Sequence, residues 1–348
     1  MKYILLALAL LVGCRKLDPV EVTEATEVTE LVTEEVTEEE SEIETEEETE
    51  YTGPYSVLSG LPIDKEERRA FGVMIDNQVD ARPQAGLSKA NLIYEYEVES
   101  EITRYLAIFS EEEVDKIGPI RSLRPYYIDT LLEHGAMVVR FGGSTQADGE
   151  VYDMGIDQID GMSNGANIWR DSSTGKFAPH NAFSSSESIR SYMEAMGFDS
   201  PAERVFSLNE EAKDLEGETI DVLVVGIDFN PYERTSFEYR NDKNDYVRKI
   251  NGETQVDEYY ETDIKADNIV VLFKEYGYME NGIHRWVANT GSGEGLYITR
   301  SKGKKIHWSK EDRGAKTKLT YEDGGEVLLN PGKTWIEIVD LNKGVDLE

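Results

Sequence analysis

Ala70-Phe71-Gly72-Val73-Met74-Ile75-Asp76-Asn77 is an apolar run closed abruptly by a carboxylate and an amide. Its length and lack of helical period predict a buried strand ending at Asp76-Asn77. Tyr105 to Phe109 reads the same way, and Gly135 to Phe141 is a third strand closed by Gly142-Gly143. Arg124 to His134 places Tyr127, Ile128, Leu131 and Leu132 at helical spacing. Ser184-Ser185-Ser186-Glu187 has the form of a capping box, opening a helix through Met196 with Gly197 as its stop. Strands alternating with amphipathic helices predict an N-terminal mixed α/β layered domain over residues 55–210. Asp199 to Gly217 is polar and Glu-rich, as an interdomain connection would be.

After Thr219 the pattern changes. Strands are expected at Ile220 to Val225, Ser236 to Tyr239, Asp245 to Ile250, Glu253 to Tyr260, Ile269 to Tyr276, Trp286 to Ala288 and Gly295 to Thr299. Four more are expected at Lys304 to Trp308, Lys318 to Tyr321, Glu326 to Leu329 and Thr334 to Val339. Asn251-Gly252, Asn281-Gly282, Asp323-Gly324 and Asn330-Pro331-Gly332 supply the turns. Residues 211–348 therefore predict a mostly antiparallel β domain, a small barrel or curled sheet. The fold class is α+β.

A chain of 348 residues with 39% hydrophobic content can bury sizeable cores, and its length suits about two domains. A net charge of −34 argues against nucleic acid as a partner, since phosphates call for a basic footprint. One cysteine excludes intrachain disulfides, and four scattered histidines argue against a zinc enzyme.

The amino end reads as a targeting segment. Met1-Lys2 precedes an apolar run from Tyr3 to Val12, too short to cross a bilayer of about 30 Å but of signal-peptide length. Leu11-Val12-Gly13-Cys14 resembles the lipobox of bacterial lipoproteins. That resemblance implies removal of residues 1–13 and a thioether-linked diacylglycerol on Cys14, whose two chains hold where one binds only reversibly. An ordinary signal peptide with a chance cysteine is the alternative. Residues 14–54 then form a linker. From residue 18 onward it has no basic residue and carries sixteen acidic ones, with Val-Thr-Glu and Ala-Thr-Glu triplets between Val22 and Glu38. Such a segment buries too little apolar surface to order itself and is expected to act as a self-repelling spacer. Residues 55–348 hold 33 basic and 54 acidic side chains, so the remainder is acidic as well.

Several segments carry a family resemblance. They are Asn77 to Gly86, Ala90 to Glu95, Ile102-Thr103-Arg104, Gly118 to Ser122, Phe141 to Ser144, Arg170-Asp171 and Pro179-His180-Asn181. In the second half Tyr246-Val247-Arg248, Trp308-Ser309-Lys310 and Pro331 to Trp335 continue it. The chain resembles the YerB-like family of bacterial lipoproteins, with His307 a minor departure from the residue usual before the tryptophan. The resemblance implies a two-domain α+β envelope lipoprotein and supplies no catalytic mechanism.

The residues themselves suggest two chemistries. Arg82, Arg104, Arg121 and Arg124 fall beside Pro, Gly and Ser on strand ends or loops, where binding residues concentrate. With Arg170, His180 and Asn181 they are the candidate ligand-binding set, because planar guanidinium forks suit a carboxylate or phosphate. The alternative is that each arginine pairs structurally with a carboxylate such as Glu95, Glu97 or Glu99. A second candidate is catalysis by His180 oriented by Asp171, with Ser122 or Ser144 as nucleophile, although no Gly-x-Ser-x-Gly elbow surrounds either serine. Asp148, Asp153, Asp157 and Asp160 lack calcium-loop spacing, and neither a phosphate loop nor a dinucleotide fingerprint occurs. Gly291 to Gly295 reads as a flexible hairpin. The late aromatics, from Tyr259 to Trp335, read as core, or as a sugar-stacking face if exposed.

The expectation is thus a membrane-anchored extracytoplasmic lipoprotein. It would act as a binding module for an envelope protein or anionic cell-wall ligand, without metal or cofactor. A cell-wall-directed hydrolase or transferase using His180 and Asp171 is the alternative.

Overall fold

The strand Phe71–Asp76 is buried at every residue because both of its faces meet a core. Phe71, Val73 and Ile75 enter one hydrophobic cluster, and Met74 with Ala70 enters another. This is the period-2 alternation of a pleated strand covered on both sides. Leu92–Glu97, Thr103–Phe109 and Met137–Arg140 are likewise buried throughout. The computed structural model describes residues 51–99, 102–111 and 113–348. The expected leader 1–13, the lipidation site Cys14 and residues 15–50 of the expected linker lie outside them.

The large sheet is mixed. From one edge it runs Lys318–Thr320, Lys302–Lys310, Gly291–Thr299, Asn268–Lys274, Thr334–Asp340, then Leu92–Glu97, Thr103–Phe109, Phe71–Asp76, Met137–Arg140 and Gln158–Asp160. Segments 55–210 and 211–348 share it: Thr334–Asp340 lies parallel to both Asn268–Lys274 and Leu92–Glu97. Phe71–Asp76 is antiparallel to Thr103–Phe109 and parallel to Met137–Arg140, so two strands end side by side at Asp76 and Arg140. A second, antiparallel sheet holds Glu253–Thr254, Asp245–Ile250, Glu233–Arg240, Val224–Asn230 and Val345–Leu347. The fold is α+β, and the second half is divided between the two sheets.

Three layers result. Helices α1 (Pro125–Glu133) and α2 (Thr145–Asp153) contribute Tyr127, Ile128, Leu131, Ala147 and Val151 to the core on one face of the large sheet. Gly72 permits the close approach of α1, since a Cβ there would lie 2.3 Å from Leu131. On the other face α3 (Ser186–Met196) contributes Ile189 and Met193, and the smaller sheet contributes Val225, Ile227, Phe237 and Tyr246.

The helix ends follow local chemistry. Pro125 occupies the first turn of α1, and Ser144 Oγ accepts the Ala147 N–H to cap α2. Ser185 caps α3, one residue later than the capping box implied, because the Ser184 hydroxyl donates to the Asn167 carbonyl instead. Gly197 ends α3 at φ 70°.

Some strand boundaries differ from expectation. Gly291–Thr299 is one continuous strand rather than a flexible hairpin leading into a short one. Its glycines are required for close approach: a Cβ on Gly295 would lie 2.4 Å from the Val271 carbonyl oxygen, and one on Gly293 would lie 2.7 Å from the Trp308 ring nitrogen. Glu253–Thr254 is all that forms of the expected Glu253 to Tyr260 strand, because Asp257 accepts the N–H groups of Tyr259 and Tyr260 and turns the chain. Glu326 to Leu329 makes only isolated bridges to Thr320 and Leu208.

The two sheets are tied by a buried ion pair. Arg248, on the smaller sheet, donates to Glu95 of the large sheet at 2.6 Å, and both side chains are fully buried. The guanidinium lies against the rings of Trp335, Tyr105 and Phe237.

Candidate functional site

The carboxyl ends of adjacent parallel strands are where open α/β sheets place ligands. Here Phe71–Asp76 delivers Asp76, and the segment after Gly118 closes over it. Asp76 donates its N–H to the Pro119 carbonyl, and Arg121 donates its own to Met74. Phe141, just past the neighbouring strand, then donates to the Arg121 carbonyl. Arg121 is thereby pinned between two strand ends. The paired segments Trp169–Arg170 and Ala182–Phe183 abut the same place, through an Ile120 N–H bond to the Ala182 carbonyl.

Asp76 is the centre of this arrangement. It is 1% exposed, and its Oδ2 lies 2.8 Å from His180 Nδ1 and 3.1 Å from Arg121 Nε. Its other oxygen accepts the Gln78 N–H. Arg170 has no carboxylate partner among the described residues. One guanidinium nitrogen donates to the Pro179 carbonyl and to Asn181 Oδ1, and the group lies 4.0 Å above the Phe141 ring. Arg121, Arg170 and His180 are therefore joined through Asp76, Phe141 and Pro179. Burial holds both arginines below the ordinary arginine value, and for Arg121 Asp76 opposes that effect while Arg104 and Arg124 reinforce it.

The other arginines divide. Arg104 sits opposite Asp76 in register and is buried, donating to the Ser122 carbonyl with Glu99 at 3.7 Å. Its Nε is buried without an acceptor among the described residues, as is the Tyr126 hydroxyl. Arg124 is committed to Glu99 through both arms of its fork, the structural pairing that stood as the alternative. Arg82 is likewise engaged, bonding both oxygens of Glu233 and the side chain and carbonyl of Asn77. Arg104, Arg121 and Arg124 thus share two carboxylates, Asp76 and Glu99, while Arg170 has none. Among the described residues around this end of the sheet, guanidinium groups outnumber carboxylates.

Asp171 does not orient His180. Its carboxylate receives Lys116 Nζ at 2.8 Å and the Ser173 N–H, and its own N–H serves the Asn181 carbonyl. Asp76 holds the histidine instead, supplied by a strand about a hundred residues earlier in the chain. Ser122 Oγ donates to the Phe141 carbonyl, and Ser144 Oγ caps α2, so neither hydroxyl bonds His180. The Asn181 amide donates to the Lys176 carbonyl and accepts from Arg170. Sequence reasoning missed Asp76 and Phe141. The available signal was a carboxylate ending an otherwise apolar strand.

The Glu99 carboxyl records the local field. Burial works against its charge, but Arg104 and Arg124 outweigh it and bring the carboxyl down from 4.5 to about 2. A depressed folded-state value contributes stability above the unfolded value and loses it as the pH falls. Between pH 5 and 2 the protein is expected to lose up to about 3 kcal/mol through this group, since each tenfold change in proton affinity is worth about 1.4 kcal/mol. Urea unfolding across that range checks it: Glu99→Gln should flatten the acid limb, and an unchanged slope would refute the assignment.

Cavities of about 820 and 830 Å³ lie elsewhere, and neither is lined by Arg121, Arg170 or His180. The first borders Pro125 and Ser144, just past the site along both of its segments.

Both halves of the chain are similar to known proteins. The family model described as "Protein of unknown function (DUF3048) N-terminal domain" matches residues 58–199, and that of the corresponding C-terminal domain matches residues 225–336. "Putative lipoprotein YerB" of Bacillus subtilis (strain 168) is 28% identical over 294 residues, covering 81% of this chain and 85% of that protein. The crystal structure of YerB protein from Bacillus subtilis superposes with a TM-score of 0.74 at 25% identity, over 84% of this chain and 99% of that one.

Proposed function

The chain belongs to the YerB-like family, and from that membership we propose a lipid-anchored extracytoplasmic binding module whose ligand is an anion held at Arg121, Arg170 and His180. The observation that carries the reading is the surplus of guanidinium over carboxylate, among the described residues, at the end of the Phe71–Asp76 strand. Three arginines share Asp76 and Glu99, and Arg170 rests on an aromatic ring with no counter-charge among the described residues. A carboxylate or phosphate would relieve that crowding and accept the unused donors. The surrounding negative field would repel anions that do not dock well. Calorimetric titration of the full chain with inorganic phosphate at low salt is expected to give saturable binding that weakens as salt rises. No binding at millimolar phosphate would overturn the reading.

The anchor rests on Leu11-Val12-Gly13-Cys14 and on the relative bearing a lipoprotein name. Among the described residues no helix is long and apolar enough to cross a membrane. Cys14→Ser is expected to abolish incorporation of labelled palmitate and to release the protein from the membrane fraction. Persistent labelling of the variant would refute lipidation at that residue.

A further inference from the structure

We propose that the ligand is an acidic oligosaccharide, its anionic group at Arg121 and Arg170 and its sugar rings in the neighbouring groove, an inference that rests on the anion-site reading. The groove has a volume of about 820 Å³, within the range of small-molecule sites. One wall is the hairpin of Tyr276–Tyr278 and Arg285–Val287, and the other is Pro125 with Ser144, Thr145 and Gln146 at the starts of α1 and α2.

Its aromatic surface is built rather than incidental. Trp286 and Gly277 are register partners, and a Cβ on Gly277 would lie 2.5 Å from the indole, so the ring lies on bare backbone. Tyr278 is held by the Arg285 guanidinium 4.5 Å above its ring, and Arg285 is itself fixed by Glu97 and Asp340. Both rings remain open, Tyr278 at 54% and Trp286 at 36% exposure, whereas Tyr297, Trp308 and Trp335 are buried in the core. Fixed, half-open rings that line one groove with Thr145, Gln146, Asn281 and a single carboxylate, Glu280, match the two surfaces of a pyranose, an apolar C–H face and a rim of hydroxyls.

The groove and the anion site are built on the same two chain segments. Leu123 donates its N–H to the Gly142 carbonyl and accepts that of Ser144, locking segments 121–125 and 142–144 together. Arg121 and Pro125 are four residues apart, at most about 14 Å of chain. One ligand a few sugars long reaches both.

The test uses the full chain and three probes: a hyaluronan hexasaccharide, which carries carboxylates, the neutral N-acetylchitohexaose, and inorganic phosphate. The acidic hexasaccharide is expected to bind at least tenfold more tightly than either of the others and to change tryptophan fluorescence. Trp286→Ala, and independently Tyr278→Ala, should each weaken hexasaccharide binding about tenfold and leave phosphate affinity within twofold. If phosphate binds through Arg121 but the hexasaccharide gains nothing, or neither aromatic variant affects it, the groove assignment is wrong and the anion site stands. Equal affinity for the neutral and acidic sugars also overturns the inference. If Arg121→Glu changes the affinity of neither charged probe, the anion site itself fails and the inference fails with it.

Discussion

Replacing Arg248 by methionine is expected to destabilise the protein by about 3–5 kcal/mol, the penalty for stranding one member of a buried ion pair. Glu95 accepts from Arg248 and from Thr103 with no solvent contact, and Glu337 is its register partner on the neighbouring strand. Burial and the adjacent Glu95 push the Glu337 carboxyl well above the ordinary range, while Arg248 draws it back. For Arg248 burial opposes the charge, yet Glu95, Tyr105 and Glu337 together outweigh it and hold the guanidinium above its usual value. Methionine keeps the apolar stem against Trp335, Tyr105 and Phe237 but takes away the buried counter-charge of Glu95. Urea unfolding at neutral pH measures the loss. One further result is expected: Arg248→Met with Glu95→Gln regains much of the stability, because the double variant leaves no stranded charge. A loss below about 1 kcal/mol would show that the pair is not what joins the two sheets.

The second large effect is on binding. Arg121→Glu is expected to weaken phosphate binding by at least about a hundredfold, because it removes charge-assisted bonds of about 1.5–3 kcal/mol and sets a second carboxylate beside Asp76. Its side chain is 30% exposed, so the fold should survive, and a thermal melt verifies this. Arg82→Gln is the informative control. Arg82 belongs to a motif of the same kind, but its fork is filled by Glu233 and Asn77. Its replacement should change phosphate affinity less than twofold. Losses that scale with the charge removed, which is twice as large for Arg121→Glu as for Arg82→Gln, would mean that binding follows overall charge rather than a site.

Much of the scaffold is legible in local chemistry. The apolar run before Asp76, the spacing of Tyr127, Ile128 and Leu131, and Gly197 after Met196 each act within a few residues, so period and capping suffice to read them. Gly291 to Gly295 reads as a hairpin because a glycine run signals a turn locally, whereas its close contacts to Val271 and Trp308 lie on other strands. The same holds for the arginines. Arg82, Arg104, Arg121 and Arg124 look alike in sequence, since each sits beside Pro, Gly or Ser, and nothing local says which forks are filled.

By itself, then, the sequence determined the α+β class, most of the strands and helices of residues 51–348, and the set of side chains from which a site could be built. These depend on interactions between near neighbours in the chain. The tertiary structure alone decided that Asp76 rather than Asp171 holds His180, that Glu233 and Glu99 occupy Arg82 and Arg124, and that Thr334–Asp340 enters the same sheet as Leu92–Glu97. Each of those contacts joins residues far apart in sequence. Partner choice in a chain this rich in carboxylates follows from which strands become neighbours, and strand pairing is set by burial of the two faces of the large sheet, a property of the whole core.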